Sequence, residues 1–127
     1  MTFLQKINYR PTTEKLSETD GQYIVNHFDA YGSEIVMDGQ AVAWHMIEEV
    51  EVVVAPHAAG LAGWIVKNVF LRGEERYHIG VYYGRQEAIL PNVTWDVARY
   101  VVENIAYYAS QKIKYAGPED LVPLTEI

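Results

Sequence analysis

Apolar residues along this chain change period once, and that change separates two kinds of element. From Gln22 to Leu90 they recur at a spacing near two, as half-buried strands require. From Trp95 they recur every three to four positions, as an amphipathic helix requires. Residues 3–10, "FLQKINYR", set Phe3, Ile7 and Tyr9 against Lys6, Asn8 and Arg10, a weak strand signal spoiled by Leu4 and Gln5. Residues 11–22 are polar and turn-rich and read as a linker or loose arm. "QYIVNHFDAYGS" reads as a strand with a turn at Gly32, and "EIVM" as a short strand. Asp38-Gly39 is a strong two-residue hairpin signal, because such turns need residues that tolerate positive φ. "AVAW" then returns as the antiparallel partner. "VEVVVAP" predicts a strand stopping at Pro56, "HAAGLAG" a small-residue connection, and "WIVKNVFLRGE" a long strand closed by Gly73-Glu74. "RYHIGVYYG" is expected to pair back to that strand. Gly84-Arg85 turns the chain, and "QEAIL" is a last strand ending at Pro91.

The helical pattern covers "TWDVARYVVENIAYYASQKIKYAG". Val97, Val101, Ile105 and Tyr108 form one stripe, widened by Ala98, Val102 and Ala109. Thr94 can cap the first turn and Asp96 complements its partial positive charge. Lys112 and Lys114 fall near the expected negative end, and Gly117-Pro118 is the expected stop. Seven short strands followed by one helix predict an α+β domain: a curved antiparallel sheet, or a partly open barrel, whose open end the helix covers.

One stretch tests whether the chain carries catalytic machinery. In "AVAWHMIEEVEVVVAP" (41–56), His45 and Glu49 would share a face if the segment were helical. Alternation at Val42 and Trp44 and the β-branched run to Val54 argue for strands instead. Trp44, Ile47 and Val50 then read as three buried anchors around a tight turn, with His45, Glu48 and Glu49 in solvent. The stretch is a hinge.

A single domain is the natural reading of 127 residues, with 1–21 as an arm, 22–117 as the domain and 118–127 as a tail. Half of the residues are apolar, which excludes disorder for most of the chain. Without cysteine there is no disulfide, thiolate metal site or cysteine nucleophile. No leader pattern and no membrane-length apolar run is evident, so a soluble, cytoplasmic protein is the expectation. The formal charge is −7, with basic residues scattered along the chain, so binding to nucleic acid or anionic lipid is not expected.

"EIVMDGQAVAWHMIEEVEVV" resembles the paired short strands, turn, Trp and "I-x-x-V" step of bacterial PH-like domains, relatives of the pleckstrin homology and GRAM folds. "RYHIGVYYGRQEAIL" with the following helix is similar to that family's last strands and capping helix. The resemblance runs from about Tyr23 to Ala116 and implies a seven-stranded, partly open PH-like barrel capped by one C-terminal helix. The turn "HFDAYGSE" lacks the basic residues with which eukaryotic members grip inositol phosphates, so no phosphoinositide binding is expected.

The chemistry-bearing residues give little for catalysis. His27, His45, His57 and His78 lack metal-ligand spacing, and no metal or cofactor is expected. No serine sits in a strained elbow. "GLAG" (60–63) lacks the Lys-Ser/Thr of a phosphate loop. Glu48-Glu49 and Glu74-Glu75 read as solvated turn acids. The ten tyrosines stand out, with adjacent pairs Tyr82-Tyr83 and Tyr107-Tyr108 whose rings must face different directions. They make the helix apolar over more than one stripe. Either a thick core uses every ring, or a second stripe through Trp95, Val102 and Ile113 meets another subunit. The leading expectation is a non-catalytic interaction module that self-associates or docks a protein segment. The alternatives are a small enzyme using a His/carboxylate pocket, for example His78 near Glu87, and a carrier of small apolar ligands in an aromatic-lined cavity.

Overall fold

A computed structural model describes residues 2–55 and 75–121 and the backbone of 124–126. The strand expected over 64–74, the connection 57–63 with its "GLAG", His57 and Glu74 lie outside the described residues.

Among the described residues the chain is α+β, with two helices and two open sheets. In order, β1 is Thr2–Leu4, α1 Glu18–His27, β2 Phe28–Ala30, β3 Glu34–Met37, β4 Gln40–Ala43, β5 Glu49–Val54, β6 Tyr77–Tyr83, β7 Gln86–Val93, α2 Trp95–Tyr108, β8 Lys114–Ala116 and β9 Leu124–Glu126. Strands β2-β3-β4 form a small antiparallel sheet, and the larger sheet has the order β7-β6-β5-β8-β1-β9. Among the described residues the sheets do not close into a barrel.

Local signals gave the right elements where a turn or cap dictates them. Asp38 and Gly39 both take positive φ (49° and 81°), closing the two-residue β3–β4 hairpin with Met37 opposite Gln40. Strand β6 turns at Gly84-Arg85 into β7, with Tyr83 opposite Gln86. Over 41–55 the hinge reading also holds, except that Glu49, expected in solvent, is half-buried. A single 3-10 turn spans Trp44–Met46, and Trp44, Ile47 and Val50 are buried while His45 and Glu48 are exposed.

Four expectations need correction. The strand expected from Gln22 is α1 as far as His27. Ser17 caps it by accepting from the Asp20 N–H (3.1 Å), and Asp20, Ile24 and Phe28 recur every four residues on the buried side. Tyr, Ile and Val at 23–25 favour strands in isolation, but packing of that stripe overrides the preference. The second helix stops at Tyr108, not at Gly117, because residues 114–116 are needed as β8 in the middle of the sheet. Lys114 donates its N–H to the Glu48 carbonyl (3.1 Å), and β8 lies parallel to β5 with Tyr115 opposite Val50. Strand β7 runs through Pro91 to Val93. It tolerates proline because, among the described residues, it is the sheet's edge, where that nitrogen has no ladder partner to lose. Finally, residues 2–4 and 124–126, expected in an arm and a tail, are the paired strands β1 and β9.

Both helices and both sheets share one core. Ile35, Met37 and Val42 come from the small sheet; Val50, Val52, Ile79, Val81 and Leu90 from the large one; Val97, Val101 and Ile105 from α2. Thr94 caps α2 by accepting from the Val97 N–H (3.2 Å).

Candidate functional site

The second stripe of α2 is not a surface. Val102 and Ile113 are both inside the core, at 0% and 1% exposure, and Ile113 lies beyond the helix. Trp95 is half-buried, its ring edge-on to Tyr77 at 5.7 Å. Strand β1 and the segment after it reach the C-terminal end of α2. Leu4 and Ile7 are buried, the Ile7 N–H donates to the Ala106 carbonyl (3.3 Å), and the Lys6 ammonium donates to the Tyr107 and Ala109 carbonyls. Carbonyls that the last turn of a helix leaves unpaired are thus satisfied by the chain's first residues, and the cation comes from Lys6 rather than from Lys112 or Lys114. The tyrosine pairs do diverge. Tyr108 stacks on Trp44 (4.8 Å, 9°) while Tyr107 stands edge-on to it, and the Tyr83 hydroxyl accepts from Gln40 while Tyr82 faces the opposite side of the sheet.

That opposite side is the most distinctive surface of the described residues. An antiparallel sheet with one face on a core normally carries polar residues on the other. On β5-β6-β7 the outward rows are Glu49–Tyr82–Glu87, then Glu51–Gly80–Ile89, then Val53–His78 with Pro91 beside them. Val53 and Ile89 are 43% and 45% exposed. Glu51, Val53, His78, Tyr82, Ile89 and Pro91 surround a shallow hollow of about 270 Å³ that includes Gly80. A Cβ at Gly80 would sit 2.9 Å from the Tyr82 hydroxyl, so the hollow exists because the Tyr82 ring lies back over a residue without a side chain.

The surrounding charge is acidic. Glu49 is met by Lys114 at 3.7 Å, whereas among the described residues the carboxylates of Glu51 and Glu87 have no cationic partner. The Tyr82 hydroxyl points at Glu51 at the limit of hydrogen bonding (3.5 Å). Desolvation, and then the negative charges of Glu51, Glu87 and Glu49, hold its pKa above the ordinary tyrosine value. His78 is fixed in place, its Nδ1 accepting from the Asn92 N–H (2.9 Å), which leaves Nε2 to carry the proton of the neutral ring. Next to this face the sheet edge is sealed. Gln40 donates to the Glu87 carbonyl (3.0 Å), Tyr23 donates to the Pro91 carbonyl (3.1 Å), and Pro91 itself has no N–H.

His78 and Glu87, the pair considered for an enzyme, lie in different rows and share no hydrogen bond. His45 and Glu49 do not meet either. Glu48, expected to be free in a turn, accepts from the Gly84 N–H (2.6 Å). Among the described residues no three His, Asp or Glu side chains stand close enough to hold a metal ion.

The structure does assemble one histidine–carboxylate pair that pattern reading missed. The Nδ1 of His27 is 2.5 Å from Asp38, the Tyr23 ring packs on the imidazole at 4.3 Å, and the Asp38 N–H donates to the His27 carbonyl (2.8 Å). These contacts clamp the end of α1 to the β3–β4 turn. The i, i+4 spacing of Tyr23 and His27 would have signalled them had the segment been read as helix.

Comparison with known protein families, characterised proteins and solved structures gives no match. Among the described residues no helix is long and apolar enough to cross a membrane.

Proposed function

We propose that this chain is a non-catalytic docking module whose working surface is the outer face of β5-β6-β7. The observation that carries this reading is an apolar hollow, bounded by Val53, Ile89, Pro91 and the Tyr82 ring, on the side of the sheet that should be polar. Burying one aliphatic or aromatic side chain there is worth roughly 1.5–3 kcal/mol. Glu51 and Glu87, without a cationic partner among the described residues, fix the character of the occupant: a protein segment with an apolar residue flanked by lysine or arginine. A second copy of the chain fits this face poorly, since a two-fold axis would bring the same carboxylates together. The sealed edge at β7 favours recognition by side chains over addition of a strand.

A distant PH-like kinship is part of the same proposal. It is supported by two three-stranded meanders, β2-β3-β4 and β5-β6-β7, followed by α2. On that reading α1 and the parallel β5–β8 ladder are additions to the barrel plan. A cysteine-free, acidic chain suits the cytoplasm.

Labelled peptides with one central Leu or Phe and either Lys/Arg or Glu flanks, titrated into 15N-labelled protein, test the proposal. Basic-flanked peptides should bind in the micromolar range, with shifts at Val53, Gly80, Tyr82 and Ile89. Equal binding of the acidic-flanked series, or shifts confined to another face, would overturn it.

A further inference from the structure

A second hollow, of about 340 Å³, lies between residues 9–16 and the outer side of α2. That volume is at the lower end of the range for small-molecule sites. Its floor is apolar: Leu16 packs on the core, Tyr100 stands edge-on to Phe28 at 5.8 Å, and Pro11 adds a rigid wall. Its rim is charged, and the charges do not cancel. Glu103 is fully engaged, accepting from the Tyr9 hydroxyl on one oxygen and lying 3.4 Å from the Arg99 Nε on the other. Asp96, in the first turn of α2, lies over the partial positive charge of that helix end. Among the described residues Arg10 and Lys15 have no anionic partner, and Arg99 meets Glu103 through its Nε. Three cations against two carboxylates make this a positive spot on a chain of formal charge −7.

We propose that this hollow binds a small amphipathic anion, a one- or two-ring molecule bearing a carboxylate, sulfonate or phosphate. The ring lies against Tyr100, Leu16 and Pro11, and the anionic head takes Arg10, Lys15 and the terminal nitrogens of Arg99. Arginine suits such a head because its planar donors can grip two oxygens at once. This site is separate from the sheet face and does not depend on the docking reading.

The probe is 8-anilinonaphthalene-1-sulfonate, followed by its fluorescence and by 15N shifts of the full chain, with uncharged N-phenyl-1-naphthylamine as its comparison. One saturable site is expected, with shifts confined to Tyr9–Leu16 and Asp96–Glu103. The double variant Arg10→Gln/Lys15→Gln should loosen it at least about tenfold, as should removal of the probe's charge. Both residues are exposed, so the variant should fold, and an unchanged melting curve verifies that. Val53→Asp should bind the probe as the parent does. The proposal is overturned by no saturation up to about 1 mM, by shifts on the sheet face, or by equal affinity of the double variant or the neutral probe.

Discussion

Two surfaces of this protein are apolar where a single-faced element would be polar, and they meet opposite fates. The far side of α2 carries Val102 and Ala106, and it is closed by Leu4, Ile7 and Ile113. The outer side of β5-β6-β7 carries Val53, Ile89 and Pro91 and is left open. An apolar stripe therefore reports a need for cover, not who supplies it. For α2 the chain's own first residues do so, with Lys6 and the Ile7 N–H joined to the helix's terminal carbonyls. For the sheet the acidic rim selects a partner.

Substitution by aspartate is the sharpest way to break this contrast. Val102→Asp places an unpaired charge where exposure is zero, and should cost several kcal/mol and unfold the chain, as read by circular dichroism. Val53→Asp should keep stability within about 0.5 kcal/mol and abolish peptide docking. Similar melting of the two variants would erase the distinction. Next in size, Ile7→Ala should cost about 2–4 kcal/mol in urea unfolding if residues 2–8 are structural cover. A loss below about 0.5 kcal/mol would return them to the status of a loose arm.

Lys6→Met probes the helix end alone. It should cost roughly 0.3–1 kcal/mol, less at high salt, because the ammonium interacts with partial charges at an exposed terminus. The smallest effect is alkaline. Burial, and then the Asp38 carboxylate, push the Tyr23 pKa up to about 12. The unfolded chain loses this proton first, near 10, so stability is intact below about pH 10 and declines as pH rises toward 12. Tyr23→Phe should flatten that decline in unfolding measured from pH 9 to 12, and an identical slope would remove Tyr23 as its source.

These contrasts mark what pattern reading can reach. The Thr94 cap, the Val97–Val101–Ile105 stripe, the Asp38-Gly39 turn and the Trp44–Ile47–Val50 hinge were legible because each is set within a few residues. Helix α1 had legible signals too, Ser17 as cap with Glu18 and Asp20 in the first turn, but the β-prone 23–25 run obscured them. The end of α2 was not legible, since what draws 114–116 out of a helix is a vacant edge on β5, more than sixty residues earlier. Of the sheet face, one trace was available: Val52-Val53-Val54 and Ile89-Leu90 put apolar residues on both sides of a strand, which period-two reading should treat as two faces to explain.

The pairing of β1 sets a timetable for synthesis. Its neighbours are β8 and β9, with Leu4 opposite Leu124, so it waits for partners made only after all the intervening chain. At roughly 5–20 residues per second, translation leaves Thr2–Leu4 waiting on the order of 10 s for its partners. Through that interval Leu4 and Ile7 have no completed core to enter, and the carbonyls Lys6 will cap do not yet exist. Completion of this ladder therefore comes late, and a chaperone that shields Leu4 and Ile7 through that interval would act on the slowest part of the fold.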